Sequence, residues 1–139
     1  MKYAVGIDSV DIDRFSHWIT YQPEQLNRIL STDEITYCMS SPAHAAQRFA
    51  VRFAAREALY KAWCSASYIP YFPLLKLCRA ARITHTPQGA ARFEMDWALL
   101  NLLSVDQPQI ALSMTHSRYL ATAIVIVAPP DDASCLPLF

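Results

Sequence analysis

Three short stretches carry residues able to do chemistry, each at the end or on the face of a regular element. The first is Gly6-Ile7-Asp8-Ser9-Val10-Asp11-Ile12-Asp13-Arg14, where a carboxylate follows an apolar strand. Held rigidly at a strand end, Asp8 is either a cation ligand or a turn and cap residue. The second is Arg52-Phe53-Ala54-Ala55-Arg56-Glu57-Ala58-Leu59-Tyr60-Lys61, in which Glu57 and Lys61 lie four positions apart and share a helix face. That spacing gives either an intrahelical ion pair, contributing about 0.2–0.5 kcal/mol, or a metal-binding carboxylate beside a phosphate-binding ammonium. The third, Ala111-Leu112-Ser113-Met114-Thr115-His116-Ser117, is a strand ending in small hydroxyl residues around one histidine. His116 is there either a hydrogen-bonding turn residue or a ligand contact.

These groups need elements to position them. Residues Tyr3 to Ile7 read as a strand continuing toward Val10 and Ile12, and Asp11 to Ile19 have apolar spacing suited to a short helix. Pro23 opens another helical stretch through Leu30, and Ser31-Thr32-Asp33-Glu34 resembles a helix start. From about Pro42 to Cys64 the chain is alanine-rich without internal Gly or Pro, which predicts a long buried helix. Ser65 to Pro73 reads as a loop. Strands over Cys78 to His85 and Ala90 to Glu94 flank a hairpin turn at Thr86-Pro87-Gln88-Gly89. A brief helix over Trp97 to Leu103 precedes strands at Gln109 to Met114 and Tyr119 to Val127. One strand, several helices and then mostly antiparallel strands make an α+β domain over residues 1–128, with residues 129–139 a loose tail.

With 139 residues, 53% of them apolar and 17% charged, the chain suits one folded domain with a sizeable core. No apolar run is long enough for a membrane span, and the start MKYAVGID lacks the basic-then-apolar build of a signal peptide. The cysteines Cys38, Cys64, Cys78 and Cys135 form no CxxC pair, which argues against zinc and a disulfide framework and fits the cytoplasm. Net charge is zero, yet from His44 to Arg92 Arg and Lys recur and Glu57 is the sole acid. Such a zone is either an ordinary solvated face or a surface for phosphates or an acidic protein, with no sign of a nucleic-acid partner.

In order and content the three stretches resemble the motifs of holo-acyl-carrier-protein synthases, which are small phosphopantetheinyl transferases. GIDSVDIDR is similar to their N-terminal Gly-Ile-Asp strand and acidic turn ending in Arg. RFAAREALYKA is similar to an Arg-Phe-Ala-Ala-Lys-Glu-Ala segment followed by Lys-Ala, and SMTHS to a Ser-x-Ser-His-Thr strand end. The 48 residues between Asp8 and Glu57 also suit the family, and the likeness extends over residues 3–127.

The resemblance implies the phosphopantetheinyl transferase-like fold, with an antiparallel sheet packed against a long buried helix. It implies transfer of 4′-phosphopantetheine from coenzyme A to a serine of an apo-acyl carrier protein, with release of 3′,5′-ADP. Asp8 and Glu57 would hold Mg2+, a hard ion that takes one or two carboxylates plus substrate phosphates, and Glu57 would also take the serine proton. Lys61, Arg52 and His116 would bind coenzyme A. Arg14 would meet the acidic helix of the carrier, and charge adds Arg28 to that surface. Members of this length form homotrimers with shared sites. The family also follows its motif lysine with a Gly-Thr-Gly-like loop, whereas this chain reads Ala62-Trp63-Cys64-Ser65-Ala66-Ser67. That departure keeps a second reading open, a non-catalytic carrier- or nucleotide-binding relative of the same fold.

Overall fold

The computed structural model describes residues 2–130. The first strand, β1, covers Ala4–Asp11. Single 3-10 turns follow at Ile12–Phe15 and Trp18–Thr20, so the chain kinks twice where a short helix is expected. Helix α1 is one turn, Pro23–Leu26, and α2 spans Thr32–Met39. A 3-10 turn at Pro42–His44 leads into α3, Ala45–Ser65, the longest element at 21 residues. Helix α4 (Leu74–Ala80) runs directly into β2 (Ala81–His85), which pairs with β3 (Ala91–Met95). The final hairpin is β4 (Gln109–His116) and β5 (Leu120–Ala128). Residues 131–139, and with them most of the tail expected from residue 129, lie outside the described residues.

Two local expectations change. Cys78 to Ala80 are helical rather than extended, because Pro73 starts a helix that the short Leu74-Leu75-Lys76-Leu77 run does not announce. Residues 97–103 form a turn instead of a helix. Asp96 Oδ1 accepts the Leu99 amide at 3.0 Å, Leu102 N–H returns to the Trp97 carbonyl at 3.1 Å, and Asn101 sits at φ 54°. A left-handed Asn closes such a turn and stops a helix. The hairpin turn stands as expected, with Gly89 at φ 87° and its amide 2.8 Å from the Thr86 carbonyl.

The two sheets are antiparallel. One has the order β1-β5-β4 and the other is the β2-β3 hairpin. Helix α3 crosses the inner face of the larger sheet, against Ala4, Gly6 and Val10 of β1 and Ala121, Ala123, Val125 and Val127 of β5. Its own contacting residues are largely alanine: Ala50, Ala54, Ala55, Ala58 and Ala62 are each fully buried. Small side chains on both sides let helix and sheet approach closely, and Phe49, Leu59 and Trp63 fill the flanks. The closest approach is at Gly6, where a Cβ would stand 1.9 Å from the Ala58 carbonyl oxygen and 2.7 Å from the Ala62 nitrogen.

A second junction is ionic. Arg56, 1% exposed, donates to both carboxylate oxygens of Glu34, at 3.0 and 2.6 Å, and also to the Ala81 carbonyl at 2.7 Å. Glu34 further accepts the backbone N–H of Ser31 and of Ile83, at 3.0 and 3.3 Å. One carboxylate thus closes the capping box of α2 and fastens α2, α3 and β2 together. Burial raises its pKa, but the Arg56 charge and these hydrogen bonds win, holding the carboxyl below the usual value.

Gly6→Ala forces a methyl group into helix backbone that cannot move aside as a side chain can. The substitution should cost about 3 kcal/mol, at the upper end of ordinary overpacking. Urea unfolding followed by Trp fluorescence measures this, and a loss below about 1 kcal/mol would show that β1 shifts freely on α3.

Candidate active site

The close packing of β1 on α3 carries Asp8 to the helix. Asp8 is two residues beyond Gly6, so its side chain leaves the same inner face of the strand. Lys61 Nζ donates to Asp8 Oδ1 at 2.9 Å and to the Ile7 carbonyl at 3.0 Å. The lysine therefore spans strand and helix instead of pairing with Glu57 along its own helix, as spacing alone allows. Glu57 is half-buried one turn before Lys61. Its pKa is raised, first by burial and then by the negative charge of Asp8, with Lys61 pulling the other way. Three residues from the first two motifs thus share one electrostatic neighbourhood.

The oxygen donors there are two carboxylates, with the Ile7 carbonyl beside them, and one cation already bonds two of these three groups. Among the described residues no three His, Cys, Asp or Glu side chains gather around a common point. A hard, all-oxygen set with only two protein carboxylates and a destabilised Glu57 charge suits a small divalent ion that keeps several waters. It does not suit a structural zinc site, which takes four Cys or His ligands, nor a catalytic one, which takes three protein ligands.

Arg52 and His116 lie at a second hollow, about 290 Å³, between α3, the end of β4 and β2. Nine positions separate Arg52 from Lys61, about 13.5 Å along the helix axis at 1.5 Å per residue. Arg52 is buried, 4% exposed, and its guanidinium lies 4.8 Å above the Tyr37 ring and reaches Glu34 at 3.8 Å. Its Nε is a buried donor without a hydrogen-bond partner among the described residues. The Gln47 side-chain amide stands 2.8 Å from His116 Nε2. Arg48, His44 and His85 line the same hollow, and sequence reading did not single them out for it. Only the cationic run from His44 onward hinted at them. His85 joins from a different element, which no local pattern reveals.

The other candidates stand apart from both groups. Arg14 is exposed on the turn Ile12–Phe15, and Arg28 is exposed just after α1. Where a glycine loop is expected after Lys61, α3 simply continues to Ser65, with Ala62 and Trp63 buried. Trp63 donates its indole N–H to the Pro70 carbonyl at 2.8 Å, and Ser65 donates its hydroxyl to the Lys61 carbonyl at 2.9 Å. The Ser117 hydroxyl accepts the amides of Tyr119 and Leu120, so it shapes the β4-β5 turn.

A profile described as the 4′-phosphopantetheinyl transferase superfamily matches residues 4–123, almost the whole described chain. The chain belongs to that superfamily. Among curated superfamily relatives, the holo-[acyl-carrier-protein] synthase of Chlamydia muridarum is 37% identical over 125 residues, covering 89% of this chain and 93% of that one. The synthase of Treponema pallidum (strain Nichols) is 34% identical over 128 residues, covering 91% and 96%. Against the Geotalea daltonii synthase the match is 44% over 63 residues, and there the chain spans only half the relative's length. Among solved structures, the Mycobacterium tuberculosis acyl carrier protein synthase superposes with TM-score 0.66 at 28% identity, covering 91% and 97% of the two chains. The Helicobacter pylori synthase, in complex with coenzyme A, gives TM-score 0.67 at 25% identity, covering 89% and 99%. The fold expected from sequence is the fold of these superfamily members.

Glu57→Gln should stabilise the metal-free protein at neutral pH. A carboxyl raised in the folded state penalises folding only when ionised. The penalty is absent below the ordinary glutamate range, grows as pH rises through it, and is complete above the folded-state value. Urea midpoints measured with chelator present should therefore favour Glu57→Gln at pH 7.5 and converge with wild type near pH 4. A gain that persists in acid would show that the carboxylate is not strained.

Proposed function

We propose that the chain is a holo-[acyl-carrier-protein] synthase that transfers 4′-phosphopantetheine from coenzyme A to a serine hydroxyl of an apo-acyl carrier protein, releasing 3′,5′-ADP. The observation that carries this is the convergence of Asp8, Glu57 and Lys61 from a strand and a helix 48 residues apart in sequence. Asp8 and Glu57 would hold Mg2+, which when bound polarises the phosphoryl group and offsets charge on the departing nucleotide. Glu57 takes the proton from the attacking serine, and its half-buried place on α3 keeps it next to the reacting groups. Lys61, whose half-exposed ammonium is held beside Asp8, would bind the pyrophosphate as a point charge. Arg52 and His116, with the cationic hollow around them, support an anion-binding role toward the nucleotide end of coenzyme A. Arg14 is exposed and without an ion-pair partner among the described residues, which suits contact with an acidic carrier.

The outer face of the larger sheet supports a homotrimer. Val5 and Ile7 of β1 and Ile124 and Ile126 of β5 are 39–57% exposed and adjoin through the β1-β5 pairing. An apolar patch of this kind marks a protein interface. Neighbouring copies would then complete one site from the two cationic groups, which within a single helix lie well apart. No described helix is long and apolar enough to cross a membrane. The enzyme is proposed to work in the cytoplasm.

One observation favours the non-catalytic reading: α3 runs on through Ser65, so no glycine turn offers backbone N–H groups to phosphate there. A single assay separates the two. Incubating the chain with coenzyme A, MgCl2 and apo-acyl carrier protein, then reading intact mass, should show addition of the phosphopantetheine group. Asp8→Asn and Glu57→Gln should each lower the rate by about 100-fold or more, the scale of a lost general base or metal contact. No mass shift with wild type would favour the binding reading, and near-normal rates in both variants at limiting magnesium would remove the metal assignment. In sedimentation the wild type should run as three chains, and Ile124→Asp should run as one.

A further inference from the structure

Helix α3 carries Arg48, Arg52 and Arg56 at steps of four residues, so the three stand one turn apart on the face turned to α2. Each step advances about 6 Å along the axis, which crowds three positive charges into one stripe. Helix α2 answers them unequally. Glu34 gives both carboxylate oxygens to Arg56 at the buried end and comes no nearer to Arg52 than 3.8 Å. Arg48 has no ion-pair partner among the described residues, and none of the residues lining the hollow around Arg48 and Arg52 is acidic.

Three positions after Glu34, and so on the same face of α2, Tyr37 meets the two arginines that Glu34 leaves. The guanidinium carbon of Arg48 lies 4.1 Å from the centre of the Tyr37 ring, and that of Arg52 4.8 Å. An aromatic face attracts a cation, and a planar guanidinium stacks on it as an ammonium does not. Single hydrogen-bond anchors fix one corner of each group. Arg48 Nη1 donates to the Tyr37 carbonyl at 2.8 Å and to Ser40 Oγ at 3.1 Å, and Arg52 Nη1 donates to the Arg48 carbonyl at 3.2 Å. Nη2 of each makes no hydrogen bond among the described residues, and only Arg52 Nε is both buried and unpartnered, so the Nη2 groups stay accessible. The Tyr37 hydroxyl makes no hydrogen bond there either, which leaves the holding to the ring.

Two guanidiniums gathered on one ring, each with a free donor, suit a multiply charged oxyanion, because charge-assisted bonds from arginine to phosphate are the strong ones. We propose that Tyr37 is a positioning residue, its ring holding Arg48 and Arg52 together as a clamp for a phosphate at the nucleotide end of coenzyme A. Without the ring the like charges move apart, and ordering them falls to the ligand, which lowers its affinity. The ligand's identity rests on the transferase reading above, whereas the clamp rests on the ring geometry. Sequence reading singled out neither Tyr37 nor Arg48 for this task.

The test titrates 3′,5′-ADP, coenzyme A and inorganic pyrophosphate calorimetrically into wild type, Tyr37→Phe, Tyr37→Leu and protein carrying pentafluorophenylalanine at position 37, alongside transfer kinetics. Tyr37 is 46% exposed, and equal melting temperatures establish that the variants fold. The pentafluoro ring keeps its shape but loses the negative face that attracts cations, so it decides the matter even where Tyr37→Leu melts lower. Tyr37→Phe should bind 3′,5′-ADP within about twofold of wild type, and Tyr37→Leu and the pentafluoro protein about fivefold more weakly. The KM for coenzyme A should rise by a similar factor while kcat moves less than about twofold. Arg48→Ala should itself weaken binding about tenfold, and Tyr37→Leu added to it should lose less than in wild type. Unchanged affinity in Tyr37→Leu overturns the clamp. So does full binding by the pentafluoro protein, which would make the ring a spacer, or a loss in kcat alone, or losses at positions 37 and 48 that simply multiply. Wild type that binds pyrophosphate with this ring dependence, but neither nucleotide nor coenzyme A, keeps the clamp and removes the transferase reading. Wild type that binds none of the three removes the clamp.

Discussion

Everything in this molecule depends on how near β1 comes to α3. Gly6 lies so close to the Ala58–Ala62 turn that there is no room for even a methyl group. That proximity brings the strand carboxylate within reach of a helix lysine, and two elements far apart in sequence become one electrostatic unit. A larger residue at any of these positions would hold the sheet off and separate Asp8 from Lys61. Alanine richness in α3 is therefore about distance more than helix propensity.

The carboxylate pair is an unfavourable local arrangement that the packing maintains. Glu57 is strained by burial and by Asp8, and Lys61 only partly offsets this. Perturbed groups of this kind gather where chemistry is done, because the fold elsewhere supplies the stability they use up. Here the supply comes from an alanine-packed core on one side and the Glu34–Arg56 junction on the other.

Much of this was legible in the sequence. The long helix, the hairpin at Gly89, the outer strands and the Ser31 helix start follow from periodicity and turn chemistry, which are local. Asp8, Glu57 and Lys61 could be named from motif content, yet the partner of Lys61 could not, since spacing within a helix favours Glu57 and only tertiary packing supplies Asp8. Arg56 shows the same limit. As a residue it reads as a charge equivalent to lysine, but a lysine has no planar fork to engage both Glu34 oxygens while also reaching the Ala81 carbonyl. Glu34 reads as a helix cap and is one, and its second task depends on Arg56 arriving from α3. Helix α4 was missed because seven residues after a proline carry too little periodicity to be told from a strand.

The Glu34 carboxylate has a consequence for how the molecule opens. Amide groups of Ser31 and Ile83, at opposite ends of the middle of the chain, donate to the same side chain. Fraying of α2 from its N-terminus strands a buried guanidinium and frees the edge of β2 in one event. Opening at the start of α2 is therefore expected to loosen its contacts with α3 and β2 in the same step.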